Sequence, residues 1–196
     1  GYEVHGILKR NSVAENQTAR LDSVFDRLHL HYGDLNDLSS LISVLQNVNP
    51  DEIYNLAAQS HVRISFDMPI YIAATTGLGV LNVFEACRIN KVKRIIFASS
   101  AHIMGYHDRK KKLDENSSFR PDSHYAVSKC FGESLSKLYS DKYNLKIMNI
   151  RIGSALPKPT DMRFLSTWIS FRDLVHLVDI GSVSYTHLTL PTRCLV

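Results

Sequence analysis

Short apolar runs and amphipathic stretches alternate along the chain. Residues 3–8 form a β-compatible run, followed by a polar stretch through Thr18. Residues 28–32 form a second strand, ended by Gly33 and Asp34. Asp37 has the side chain of a helix N-cap, and Leu38, Leu41, Ile42 and Leu45 then fall on one helical face until Asn49-Pro50 stops it. Residues 52–56 read as a buried strand. After Pro69 a long helical stretch runs to about residue 90, with Leu78, Leu81, Val83, Phe84 and Ile89 among its apolar positions. Residues 93–98 (KRIIFA) are the clearest strand; a loop, a helix over about 123–143 and a strand over 145–152 follow. Strand alternating with helix predicts an α/β fold built on a doubly wound parallel sheet with right-handed crossovers. No internal repeat, low-complexity segment or second domain is visible.

Composition narrows the class. The 196 residues suffice for one domain, and 44% hydrophobic with 21% charged residues is ordinary globular usage. The net charge of +4 is mild and no basic stripe is interleaved with aromatics, which argues against nucleic acid as partner. The basic cluster Arg109-Lys110-Lys111-Lys112 reads as a solvated loop. No apolar run is long enough to predict a membrane span, and no signal peptide is seen. Cys87, Cys130 and Cys194 show neither metal-ligand spacing nor a disulfide framework, so a reducing cytoplasm is expected and no metal is. Residues 1–182 read as one partial domain. Residues 183–196 (VSYTHLTLPTRCLV) resemble translated sequencing-adapter read-through and are expected to be a non-native tail.

Chemistry concentrates at Tyr125-Ala126-Val127-Ser128-Lys129. Four residues apart on a helix, Tyr125 and Lys129 share a face. A free phenol titrates near 10, and a neighbouring ammonium favours phenolate, which would make Tyr125 a general base. Ser99 and Ser100 stand at the carboxyl end of a predicted buried strand, where open α/β sheets place their ligands. Ser100, Tyr125 and Lys129 are therefore the candidate catalytic residues.

With these residues in place, the chain resembles the extended short-chain dehydrogenase/reductase superfamily, its sugar-modifying epimerase/dehydratase branch. The first half resembles GDP-mannose 4,6-dehydratases through GYEVHGI at 1–7, HYGDL at 31–35 and PDEIYNLAAQSHV at 50–62. The second half resembles uronate dehydrogenases through FASS at 97–100 with His102, SKCFGE at 128–133, RIGS at 151–154, and Arg163 with LSTW at 165–168. The resemblance implies a Rossmann-type sheet and a homodimer formed through the two long helices. It implies a substrate pocket lined by Ser60, Ser100, His102, Ser154 and Arg163, whose guanidinium would hold a sugar carboxylate. It implies cofactor contacts from Asp34, Leu35, Leu56, Ala57, Ala58, Tyr125, Lys129 and Ile152. Dehydratases of this type carry a glutamate two residues after the catalytic Ser or Thr. Here that position is His102, as in uronate dehydrogenases, although Ala101 replaces their usual Asn.

The Gly-rich phosphate loop and the strand before it are absent. In the strand order 3-2-1-4-5-6 the missing strand belongs between the strands at 3–8 and 52–56, so the 196-residue chain alone is expected to be poorly soluble and not to bind a dinucleotide. Where an acidic residue would signal NAD, Leu8 is followed by Lys9 and Arg10. These local charges favour NADP, whereas the uronate dehydrogenase resemblance implies NAD. Three functions remain open: an NAD(P)-dependent dehydrogenase oxidising a hexuronate at C1, a nucleotide-sugar 4,6-dehydratase or epimerase, and a non-catalytic NAD(P)-binding module.

Overall fold

The computed structural model describes residues 3–10, 21–108 and 110–183. Most of the polar stretch to Thr18, together with Arg109 and the expected tail with Cys194, lies outside the described residues. Five strands follow the sequence pattern: β1 (Val4–Leu8), β2 (Leu28–Tyr32), β3 (Glu52–Asn55), β4 (Arg94–Ser100) and β5 (Lys146–Ile152). The principal helices are α1 (Leu38–Val48), α2 (Val62–Asp67), α3 (Pro69–Ile72), α4 (Gly79–Ile89) and α5 (His124–Tyr143). The short elements β6 (Ser154–Ala155), α6 (Met162–Leu165) and β7 (Trp168–Ile169) lead into α7 (Phe171–Val183).

Among the described residues all pairings are parallel, as alternation of strand and helix requires. β1 pairs with β2, and β3-β4-β5 form a second sheet. Among the described residues no strand joins β1 to β3, which is where the doubly wound order puts its first strand. β4 and β5 are buried on both faces. Ile95, Phe97 and Ile147 face a core shared with Leu41 and Leu45 of α1, Val80, Val83, Phe84 and Cys87 of α4, and Tyr139 of α5. Ile96, Met148 and Ile150 face the other way, against Leu174 and Val178 of α7. That alternation is the period-2 geometry of a strand covered on both sides.

The helix expected after Pro69 forms, but its middle, Ala73–Leu78, is a π-helical turn between α3 and α4. Over Pro69–Ile89 it is 21 residues long and apolar enough to cross a bilayer, contrary to the sequence reading. Half of that window is nevertheless buried, with Ile72, Val80, Phe84 and Cys87 inside the protein. Thr76, in the π turn, is also buried, and its hydroxyl accepts the Gln59 N–H at 3.2 Å, tying the segment after β3 to the helix. The short α2 had no sequence signal: its N-cap is His61, outside the usual Ser/Thr/Asp/Asn set.

Helix α5 begins where Ser123 caps the Ala126 N–H at 3.2 Å and ends at Asn144 in the left-handed region (φ 56°). Its buried face is polar. Lys129 Nζ donates to the Ala98 carbonyl at 2.6 Å, and Ser136 Oγ donates to Asn149 Oδ1 at 2.8 Å. Between them Glu133, 1% exposed, accepts from Ser99 Oγ at 2.6 Å and from Arg151 Nε and Nη2 at 3.0 and 2.9 Å. Ser99 and Arg151 are register partners across β4 and β5, so one carboxylate bridges both strands. Gly132 permits this approach, since a Cβ there would come within 2.5 Å of the Phe97 ring. Because Glu133 and Arg151 are both buried, removing one strands the other's charge. Arg151→Met should lower stability by about 3–5 kcal/mol, read by denaturant unfolding of the full-length protein.

Candidate active site

Ser100, Tyr125 and Lys129 come together at the carboxyl end of β4. Ser100 is the last residue of that strand and Tyr125 the second residue of α5, so strand end and helix start face each other. The Ser100 hydroxyl accepts the His102 N–H at 3.2 Å. Lys129 lies one turn along α5, with Nζ 5.6 Å from the Tyr125 ring centroid and 4.8 Å from that of Phe97. All three side chains are buried, at 4%, 8% and 1% exposure. Burial pushes the Tyr125 phenol above its ordinary value, and the Ser100 hydroxyl pulls it partly back, so burial outweighs the lowering that the sequence led us to expect from the Lys129 ammonium. Burial lowers Lys129 to about 8, so its ammonium is poised near neutrality.

His102 joins this group from the single 3-10 turn that follows β4 (Ala101–Met104). Its ring meets that of Tyr125 edge-on, centroids 6.3 Å apart, and its Nδ1 lies 2.7 Å from Asp122 Oδ2. Ser60 is exposed in the segment after β3. Ser154 lies in β6, its N–H bonded to the Thr167 carbonyl at 2.8 Å and its hydroxyl 3.4 Å from that of Thr167. Arg163 belongs to α6, and its side chain is outside the described residues.

The predicted cofactor residues divide similarly. Leu56 is 66% exposed just beyond β3, beside Ala57 and Ala58, forming an apolar ledge of mostly small side chains at the carboxyl end of the sheet. Ile152 ends β5 as the register partner of Ser100. The Leu35 carbonyl accepts from Asn82 Nδ2 at 2.7 Å, and its side chain packs over Gly79, where a Cβ would come within 3.0 Å. Asp34 is held below the usual carboxylate range by the Asn36 N–H and by Lys9, whose Nζ lies 3.0 Å away. Arg10 lies over the Tyr32 ring at 4.7 Å. The two cations that the sequence offers to a 2′-phosphate therefore already have partners.

Several residues that shape the site escaped sequence reading. Asp122, Glu133, Arg151 and Gly105 carry no local signal of their role, because each acts on a residue distant in the chain. The RPD run before the tyrosine helix, and for Glu133 and Arg151 their places in the SKCFGE and RIGS runs, are the signals the sequence offers.

The family model for GDP-mannose 4,6 dehydratase matches residues 1–160. The chain is 35% identical over 174 residues to a uronate dehydrogenase of Pseudomonas syringae pv. tomato, covering 88% of this chain and 59% of that protein. It is 38% identical over 159 residues to a GDP-mannose 4,6-dehydratase of Yersinia enterocolitica, covering 76% and 42%. Among solved structures, a mutant uronate dehydrogenase from Agrobacterium tumefaciens complexed with NAD superimposes with TM-score 0.76 at 27% identity, covering 94% of this chain and 74% of that one. The chain thus spans roughly half the length of these curated relatives. A parallel α/β sheet with this element order and a family match over residues 1–160 lead to one assignment: the chain belongs to the GDP-mannose 4,6 dehydratase family, within the extended short-chain dehydrogenase/reductase superfamily.

Proposed function

We propose that the protein is an NAD-dependent sugar dehydrogenase that oxidises a hexuronate at C1. The observation that carries this reading is the meeting of Ser100, Tyr125 and Lys129 with His102, not a glutamate, two residues beyond Ser100. A dehydratase needs an acid-base group at that position to take a proton from one sugar carbon and deliver one to the departing hydroxyl. An imidazole paired with a carboxylate can itself move a proton, so what favours the dehydrogenase is that histidine, not glutamate, is the residue of the uronate dehydrogenase pattern at this position.

The residues present fit a dinucleotide. The Leu56–Ala58 ledge is open, and Lys129 has donors beyond the one used on Ala98, since an ammonium carries three. Leu56, Ala57, Ala58, Tyr125, Lys129 and Ile152 would hold it. NAD is favoured over NADP because Asp34 neutralises Lys9 and Arg10 stacks on Tyr32. When bound, the nicotinamide supplies the hydride acceptor.

The chain's own residues do the rest. Ser100 orients the C1 hydroxyl, and Tyr125, as phenolate, takes its proton as the C1–H bond breaks and C1 becomes a lactone carbonyl. Lys129 stabilises the phenolate. Ser60, His102 and Ser154 contact the sugar hydroxyls, and Arg163 pairs with the carboxylate.

A second reading is a nucleotide-sugar 4,6-dehydratase, favoured by the family match over residues 1–160. The two differ in net redox change. With galacturonate or glucuronate, the full-length enzyme should accumulate NADH absorbance; a 4-keto-6-deoxy product from a nucleotide sugar without net reduction would instead establish the dehydratase. Tyr125→Phe should lower kcat by about a hundredfold to ten-thousandfold with the fold intact by circular dichroism.

Lys129 also makes a stability prediction. Its folded pKa of about 8 lies below that of the unfolded chain, so above pH 8 the unfolded state binds the extra proton and stability rises with pH. Relative to Lys129→Met, the natural protein should gain about 3 kcal/mol between pH 8 and 10.4, measured as the difference in unfolding free energy.

A further inference from the structure

Asp122 is tied closely to His102 although it stands 20 residues away. Its Oδ2 lies 2.7 Å from His102 Nδ1, and its Oδ1 accepts the Ser123 hydroxyl at 3.0 Å. Its backbone N–H reaches the His102 carbonyl at 3.3 Å. The flanking bonds Arg120 N–H to Ile103 carbonyl and Tyr106 N–H to Arg120 carbonyl, both 2.9 Å, clamp the two segments together. Gly105 leaves the space the carboxylate occupies: a Cβ there would fall 2.0 Å from Asp122 Oδ2. Only glycine fits beside it.

A neutral imidazole has one donor and one acceptor nitrogen, and an ionised carboxylate only accepts. With Asp122 against Nδ1, the proton sits on Nδ1 and Nε2 keeps its lone pair. His102 also touches both reacting groups, through its N–H on the Ser100 hydroxyl and its ring against Tyr125. We infer that Asp122 is a positioning residue, which fixes His102 in the Nδ1–H tautomer so that Nε2 accepts a hydrogen bond from the substrate hydroxyl on the carbon next to the reacting one. The assignment rests on the dehydrogenase reading for its substrate, but its tautomer does not. Specificity follows, because a site built to accept an O–H leaves its acceptor unmatched when that hydroxyl is missing.

The test pairs a spectroscopic readout with a substrate-side cycle. In full-length protein with 15N-labelled histidine, at a pH where the ring is neutral, His102 should show a protonated Nδ1 and a bare Nε2. Asp122→Ala should release the ring to the Nε2–H form, while Asp122→Asn, whose amide oxygen still accepts, should retain the Nδ1–H form. Kinetically, Asp122→Ala should raise KM for the hexuronate about tenfold and leave KM for NAD unchanged. The same change should have little effect on the 2-deoxy hexuronate, which lacks the hydroxyl in question. A protonated Nε2 in the unmodified protein would overturn the inference, and so would an equal loss for both substrates. If neither uronate is turned over, the dehydrogenase reading fails, while the tautomer measurement still decides the role of Asp122.

Discussion

The contact between α5 and the ends of β4 and β5 is made by charges and hydroxyls where an ordinary helix-on-sheet contact would be apolar. Apolar side chains tolerate sliding, because dispersion and burial are nearly non-directional. A carboxylate bridging Ser99 and Arg151, and an ammonium on the Ala98 carbonyl, do not. Slipping α5 by one residue would move each group about 1.5 Å along the axis and rotate it off its partner. Every broken bond would then leave a polar or charged group without water. The register of α5 is consequently set at Glu133 and Lys129, and Tyr125, one turn further toward the N-terminus, is set with it against Ser100. A buried ion pair is poor evidence of net stability, since desolvation offsets much of its attraction. What it supplies here is orientation.

The two sheets are linked differently. β1-β2 and β3-β4-β5 share no backbone hydrogen bonds among the described residues, so side chains hold them in relation. Leu41 and Leu45 of α1 pack into the cluster formed by Val80, Val83 and Phe84 of α4 and by Ile95 and Phe97 of β4. The helix layer thus carries the β1-β2 unit, with Lys9 and Asp34 at its carboxyl end. Polar contacts fix α5, whereas the β1-β2 unit is held mainly by apolar packing, with the bond from Asn82 Nδ2 to the Leu35 carbonyl added to it.

The division of resemblance between dehydratases and uronate dehydrogenases turns on the position two residues after Ser100. Both chemistries can use the same serine, tyrosine and lysine, so those residues do not separate them. Position 102 is where the two patterns differ, a histidine standing in place of the dehydratases' glutamate. With Nδ1 committed to Asp122, it offers one accepting nitrogen and remains half-exposed beside the phenol. A glutamate there would instead take a proton from a sugar carbon and deliver one to the departing hydroxyl.

Local physics made much of this legible in the sequence. The alternation of apolar runs and amphipathic stretches specified parallel strands and crossover helices, since periodicity is a property of neighbouring residues. β2 has the predicted bounds, Ser123 caps α5, and Tyr125 with Lys129 share a face because an α-helix repeats every 3.6 residues. The π turn, α2 and the partners of Lys9 and Arg10 were not legible. Nor were the pairs that complete the site: Ser99 with Glu133 is 34 residues apart, His102 with Asp122 is 20, and Arg151 with Glu133 is 18. The sequence by itself determined which elements form and which helix carries the phenol and ammonium. Which distant side chains meet, which charge is buried and which imidazole nitrogen holds its proton were decided only by tertiary structure, because these depend on where separate segments cross in space.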